Sequence, residues 1–376
     1  SAGASPAPSA PSPAKPAPAG AAPAPQPAAS ASRAAAEPSA PSLLYVGVRG
    51  GVEEELARAA GVPFRAIESG QVRGMAPWVA AGNLLKAGRG VRQAGRLMAE
   101  FRPDVVFVTG GFVAGPVVLA AWRAHVPVFI YLPDMAPGLA IRRMSRLARS
   151  VGVTLPEVAH WFPGKAVVTG YPVRQEILAL AGQRRQARQQ LGLAGELPTL
   201  LVFGGSRGAR SINQALAAAL PALLPHCQVV HISGTLDWPA VEARAQSLPD
   251  PLRPRYHAYA YLHREMALAL AAADLVVARA GASTLGEFPA LGLPSILAPY
   301  PHSGQHQEIN ADALARRGAA IKLPDDQLAT QLAPTVLRLL AAPEALAAMS
   351  RSAQALAQPG AAAAIVQELR RLAQHG

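Results

Sequence analysis

The chain has 376 residues, 35 Lys and Arg against 23 Asp and Glu, a formal net charge of +12, and a single cysteine. That length suggests two domains. One cysteine excludes an internal disulfide and a cysteine-based zinc site, and no apolar run approaches the roughly 18 residues of a membrane-spanning helix. The charge points to an anionic partner, or simply to a GC-rich genome that favours Arg. With few aromatics and no zinc-finger pattern, a membrane surface or a phosphate-bearing substrate fits better than nucleic acid.

Residues 1–42 are nearly all Ala, Pro, Ser and Gly, with only Lys15, Arg33 and Glu37 charged. Such a segment buries too little apolar surface to offset ordering entropy, so a disordered, partly polyproline-like tail is expected. It lacks the apolar core of a signal peptide. From Leu43 onward, short apolar runs alternate with helical periodicity. A first unit, 43–176, has expected strands at 43–46, 105–108, 126–130, 151–154 and 166–169. A second, 177–360, has them at 200–203, 229–232, 275–277, 295–298 and 319–323. Helices are expected at 82–101, 138–149, 209–219, 265–272, 307–316 and 330–341. A last one, 361–374, would pack back on the first unit. This alternation predicts an α/β protein with two parallel, doubly wound sheets. The polar stretch 176–198 reads as the connection, with Arg184, Arg185 and Arg188 solvated. Cys227 reads as a small core residue.

The segment 78–102 mixes apolar residues with Lys86, Arg89, Arg92, Arg96 and Arg102. It predicts either a basic membrane-facing surface or an amphipathic helix packed on the sheet. Four glycines (Gly82, Gly88, Gly90, Gly95) weaken a long helix there.

Chemistry concentrates in strand-to-helix loops, where an open α/β sheet binds its ligands and helix N-termini offer free N–H groups. Gly204–Ala209 follows an apolar strand and opens a helix. Its glycines let the backbone approach an anion, and Ser206 adds a hydroxyl. It is neither a Walker loop nor a dinucleotide fingerprint. Thr109–Pro116 is a second such loop. Asp134–Arg142 and Gly170–Arg174 follow two further strands. In the stretch 273–311, a strand runs into a small-residue turn, a helix with an early carboxylate (Glu287), a second strand, and a Gln307/Asn310 pair opening another helix. A nucleoside diphosphate held by N–H groups, with a carboxylate on its ribose, needs no metal in such a place.

These loops resemble the MurG family of N-acetylglucosaminyltransferases, from about Leu43 to the C-terminus. The family's GGSQGA is matched by Gly204–Ala209 with Arg207 for Gln. Its GGYVSGP is matched by Gly110–Pro116, and its NPVR by Tyr171–Arg174. Its SGALTVSE is matched by Ala280–Glu287, and its HQ-x-x-NA by His306, Gln307, Asn310 and Ala311. The resemblance implies a GT-B architecture, two Rossmann-like domains facing a cleft. It implies inverting transfer of N-acetylglucosamine from UDP-N-acetylglucosamine to a polyprenyl-diphosphate muramyl-pentapeptide at the cytoplasmic face of the membrane, in peptidoglycan synthesis. Donor-binding roles fall on Arg174, Gly205, Ser206, Arg207, Leu262, Ala282, Ser283, Thr284, Glu287, Gln307 and Asn310. Glu287 would take the ribose hydroxyls, and Gln307 and Asn310 the sugar hydroxyls. Gly110, Gly111, Phe112, Gly115 and Asp134 would face the acceptor. No cofactor and no metal are implied.

The family also begins with a strand and a GGTGGH-like loop whose histidine is its expected base. Here the Pro/Ala segment stands at that place, so the first sheet is expected to lack a strand and expose apolar edges. The family's HEQN is replaced by Tyr131-Leu132-Pro133-Asp134. Asp134 reads as a substitute base or as a helix cap.

Overall fold

The structure, a computed structural model, describes residues 42–70, 77–205, 207–302 and 305–375, with no side chains described for 77–85 and 375. The expected tail falls almost wholly outside these residues, as does Ser206. The chain divides between Leu43 and Leu44, and all the elements below belong to the unit 44–376.

The first half contains β1 (Tyr45–Gly47), α1 (Val52–Ala59), β2 (Phe64–Ala66), α2 (Pro77–Phe101), β3 (Val106–Val108), α3 (Ala114–Arg123), β4 (Val128–Leu132), α4 (Leu139–Met144), β5 (Ser150–Val153) and β6 (Ala166–Val168). Then come α5 (Gln175–Leu178), α6 (Arg184–Gln190), β7 (Thr199–Phe203), α7 (Arg210–Leu223), β8 (Gln228–Ile232), α8 (Trp238–Gln246), β9 (Tyr256–Tyr259), α9 (Glu265–Ala272) and β10 (Leu275–Ala278). The chain ends in α10 (Glu287–Leu291), β11 (Ser295–Leu297), α11 (His306–Ala315), β12 (Ala320–Lys322), α12 (Leu328–Leu340), α13 (Pro343–Gln354) and α14 (Ala361–His375).

All described strand pairs are parallel. The second sheet runs β12-β11-β10-β7-β8-β9, and the first β3-β4-β5-β6, with β1 and β2 paired in a sheet of their own. Among the described residues nothing pairs with the other side of β1 or the free side of β3, and Tyr45 and Phe107 on these strands are exposed. Ile67, Val106 and Val108 nonetheless share one core with Ala94 and Met98 of α2.

The central strands are apolar on both faces because both faces are covered. Leu200 and Val202 pack with Ile212, Leu216 and Leu220 of α7 and Leu332 and Val336 of α12, while Leu201 packs on the opposite side with Leu270 of α9. At the C-terminus, Ile365 and Leu372 of α14 pack on Phe129 and Tyr131 of the first sheet. There Ser150 Oγ donates to Glu368 Oε1 at 2.7 Å.

Several expectations need correction. The helix α2 is continuous over 25 residues despite its glycines. At Gly90 a Cβ would lie 2.1 Å from the Glu68 carbonyl oxygen, so close backbone approach selects glycine and packing overrides propensity. Ala94 and Met98 of this helix are buried and Val91 and Leu97 half-buried, with Arg92, Arg96 and the terminal Phe101 exposed. The helix expected over 138–149 stops at Met144. Arg188 is not solvated: it is buried, pairs with Asp274, and donates to the Ala272 carbonyl at 3.0 Å. Arg184 reaches the same carboxylate at 3.0 Å. Helix α6 is thereby pinned to the start of β10. Cys227 is a buried thiol, its pKa pushed up to about 12 by burial.

Candidate active site

The loop between β7 and α7 is a tight backbone turn. Gly208 has φ +77°, and a Cβ there would lie 2.1 Å from the Ser233 carbonyl oxygen. Gly205 and Arg207 are exposed at its tip. Below it, Asn213 donates from Nδ2 to the Ser233 carbonyl and to Asp237 Oδ2, both at 2.9 Å. Its Oδ1 lies 3.0 Å from His231 Nε2. The 14 residues of α7 rise directly behind this loop, so their dipole is aimed at its exposed face.

After β10 the expected helix with its early carboxylate is present but short. Ala282–Leu285 form a single 3₁₀ turn and α10 has five residues, interrupted at Gly286. Its dipole is correspondingly small. Ala282 and Ser283 are half-buried, and Thr284 is buried with Oγ1 donating to the Gly281 carbonyl at 2.7 Å. Glu287 opens α10. Burial raises its pKa, against the lowering effects of Arg174 and Ser283. Arg174 Nη2 lies 3.6 Å from Glu287 Oε1. Leu262, among the expected donor-binding residues, is half-buried against the core.

Arg279 carries a role that sequence reasoning missed. It is the last residue before the Ala280–Thr284 turn. Its Nη1 donates to the Ala298 and Pro299 carbonyls at 3.0 and 3.3 Å and pairs with Asp325. Its Nη2 donates to Ser211 Oγ at 2.7 Å, and Ser211 donates to Asp325 Oδ1 at 2.8 Å. One guanidinium thus ties the ends of β10 and β11 to the first turn of α7. The available signal was a lone cation closing an all-apolar strand.

Across from these loops, Asp134 follows β4. Asn310 of α11 donates from Nδ2 to Asp134 Oδ1 at 2.9 Å and to the Ala280 carbonyl at 3.1 Å, and its Oδ1 accepts the Met135 N–H at 3.0 Å. The residue is fully buried, so its amide is committed to joining the two halves. His306 Nδ1 lies 3.1 Å from the Ala136 carbonyl. Gln307 Oε1 accepts the Tyr300 N–H at 2.9 Å. Asp134 does not cap α4, whose N-cap is Gly138 without a side-chain hydrogen bond. Gly110 and Gly111, with φ +123° and +83°, turn into α3, with Phe112 exposed and Gly115 half-buried. A Cβ at Gly110 would touch Ile141 of α4, and one at Gly138 would touch His306. The segment after β4 therefore meets the start of α11 at two places, Asp134 with Asn310 and Gly138 beside His306. Arg174 and Glu287 pair at the domain junction, and Gly205 and Arg207 belong to the second-domain loop.

Two parallel-sheet domains that meet through such contacts, with glycine loops at strand ends, define the GT-B class of glycosyltransferase. Residues 35–153 match the glycosyltransferase family 28 N-terminal domain and 199–365 the family 28 C-terminal domain. The chain belongs to glycosyltransferase family 28 and, within it, to the MurG family. It is 45% identical over 361 residues to the UDP-N-acetylglucosamine--N-acetylmuramyl-(pentapeptide) pyrophosphoryl-undecaprenol N-acetylglucosamine transferase of Roseiflexus sp. (strain RS-1), covering 85% of this chain and 81% of that one. The protein of the same name from Desulforudis audaxviator (strain MP104C) is 43% identical over 349 residues, covering 89% and 91%. Among solved structures, Acinetobacter baumannii MurG superposes with a TM-score of 0.68 at 26% identity, covering 87% of this chain and 90% of its own. A UDP-GlcNAc 2-epimerase from Neisseria meningitidis shares the fold alone, with a TM-score of 0.61 at 13% identity over 87% and 91%.

Proposed function

We propose that the chain moves N-acetylglucosamine from UDP-N-acetylglucosamine to the muramyl-pentapeptide of a polyprenyl-diphosphate lipid, a step of peptidoglycan synthesis. The observation that carries this is 45% identity over 361 residues to a transferase of that name, covering 85% of this chain and 81% of that one. The donor's diphosphate lies against the loop in front of α7, and Glu287 takes the ribose hydroxyls. An acceptor oxygen forms a bond to the anomeric carbon as the bond to the diphosphate breaks, with inversion. The proton passes to Asp134 and the electron pair to the departing UDP. Asp134 Oδ2 has no hydrogen-bond partner among the described residues, which supports this role. Backbone N–H groups preorganised at a helix terminus stabilise the developing diphosphate charge, so no metal is assigned to the chemistry.

The acceptor's lipid chain requires a peripheral membrane contact. What supports one is the face of α4, where Arg142, Arg143, Arg146 and Lys165 surround a depression of about 650 Å³ with Leu139 and Trp161 at its rim. The Arg142 guanidinium stands 5.0 Å over the Trp161 ring. Basic residues beside exposed apolar ones suit an anionic bilayer surface such as that of the cytoplasmic leaflet. Co-sedimentation with anionic liposomes that fails at low salt would remove this part.

The decisive assay supplies labelled UDP-N-acetylglucosamine and the lipid-linked muramyl-pentapeptide in detergent, with and without chelator. Label in the lipid fraction supports transfer. Transfer to a different lipid acceptor would fit the changes at Leu132–Asp134, and donor binding without transfer would instead make the chain a nucleotide-sugar-binding protein, the reading favoured by the Pro/Ala segment that stands in place of the GGTGGH-like loop.

A further inference from the structure

The segment joining β6 to α5, Gly170–Arg174, belongs to the first domain but grips the second at two adjacent residues. It is anchored behind: the Tyr131 hydroxyl donates to the Gly170 carbonyl at 3.0 Å. Tyr171 then lies flat against Gly286. A Cβ at Gly286 would sit 2.5 Å from Tyr171 Cδ1 and 2.6 Å from its Cβ, so glycine is required by the ring rather than by backbone conformation. The next residue, Glu287, faces Arg174 at 3.6 Å. The Arg174 side chain is 50% exposed, whereas that of Glu287 is 14% exposed.

This arrangement answers a local problem. Glu287 opens a helix of only five residues behind a single 3₁₀ turn. So short a helix does little to orient its own first side chain. A ring packed on the preceding residue and a cation beside the carboxylate supply the constraint from outside.

We propose that Arg174 and Tyr171 are positioning residues for Glu287: the domain junction orients the carboxylate that takes the donor's ribose, so nucleoside recognition depends on that junction. This rests on the reading of Glu287 as the ribose ligand. The competing role for Arg174 is a direct contact with the donor's diphosphate.

The two roles separate in calorimetric titrations with UDP and with 2′,3′-dideoxy-UDP, which keeps the diphosphate and loses both ribose hydroxyls. The wild-type chain must bind UDP more tightly. If it binds neither, or both equally, the ribose reading of Glu287 itself fails. Given that preference, Arg174→Gln weakens UDP roughly tenfold and leaves dideoxy-UDP unchanged, as expected for coupled neighbours. An equal loss on both nucleotides, or no loss on either, overturns the proposal for Arg174. Tyr171→Ala shows the same selective loss; an unchanged preference in that variant, with its fold verified by circular dichroism, overturns the role of Tyr171.

Discussion

Asn310 of the second domain donates a hydrogen bond to Asp134 of the first at 2.9 Å, and the same amide group reaches the Ala280 carbonyl that precedes the donor-side turn. The acceptor-side carboxylate and the donor-side loop therefore share one buried amide. Asp134→Asn keeps an oxygen for Asn310 to bond, so stability should change by about 1 kcal/mol or less. Loss of a general base should lower kcat by roughly 10²- to 10⁴-fold. Urea unfolding and steady-state kinetics on the same preparation check both, and an unchanged kcat would remove Asp134 from the chemistry.

Glu287 has two pH-dependences of opposite sign. Its pKa is raised above 4.5 by burial, so the folded chain holds this proton to higher pH than the unfolded chain does. Its contribution to stability is present below 4.5 and lost as pH rises through the raised value. Affinity for UDP follows the carboxylate instead and climbs through that window. Titrations between about pH 4 and pH 8 should show the climb, and Glu287→Gln should abolish it while weakening UDP roughly 10- to 100-fold.

His231 is buried and its pKa is lowered from 6.5 to about 4 by desolvation. Its neutral ring bridges Asn213 and Tyr256 at 3.0 and 2.7 Å. A depressed histidine contributes stability that is full above 6.5 and lost as pH falls toward about 4. The loss is on the order of 3 kcal/mol. Denaturant midpoints measured across this range should flatten in His231→Gln.

Arg188 and Asp274 form a mostly buried pair whose carboxylate also accepts the Thr199 N–H at 2.7 Å. Arg188→Met leaves that charge buried with Arg184 as its remaining cation. A destabilisation of about 3 kcal/mol is expected, at the lower end for a broken buried pair. Urea unfolding measures it, and a change near zero would mean that Arg184 compensates fully.

Arg279 should be intolerant even of lysine. Its fork meets Ser211 and two carbonyls at once, which an ammonium on a flexible stem does not reproduce. Arg279→Lys should weaken UDP roughly tenfold with little effect on kcat, because it displaces loops rather than reacting groups. Kinetics with varied donor distinguish this from a fall in kcat alone.

Five of the six strands of the second sheet were legible because they are continuous apolar runs between helices, as at Leu200–Phe203 and Leu275–Val277. Phe64–Ala66 and Tyr256–Tyr259 were not, since each is short and polar-interrupted and is a strand only because a neighbour pairs with it. Helix α13 was missed although it has an ordinary period, because its start at Pro343 looks like a loop. The glycine loops were readable as loops. That α10 would be a five-residue helix behind a separate 3₁₀ turn was not, and the ring that crowds Gly286 is that of Tyr171, over a hundred positions earlier in the chain.

From its residues alone the chain determined an α/β architecture, the family, and which loops carry small residues, carboxylates and amides suited to a nucleotide sugar. These follow from local periodicity and from motifs whose residues are near neighbours in sequence. Only the tertiary structure decided which of them meet: Asn310 with Asp134, Arg174 with Glu287, Arg279 with Ser211 and Asp325. Each of these contacts joins residues dozens to more than a hundred positions apart. A side chain's partner across such a span is set by how sheets and helices pack, which no periodicity encodes.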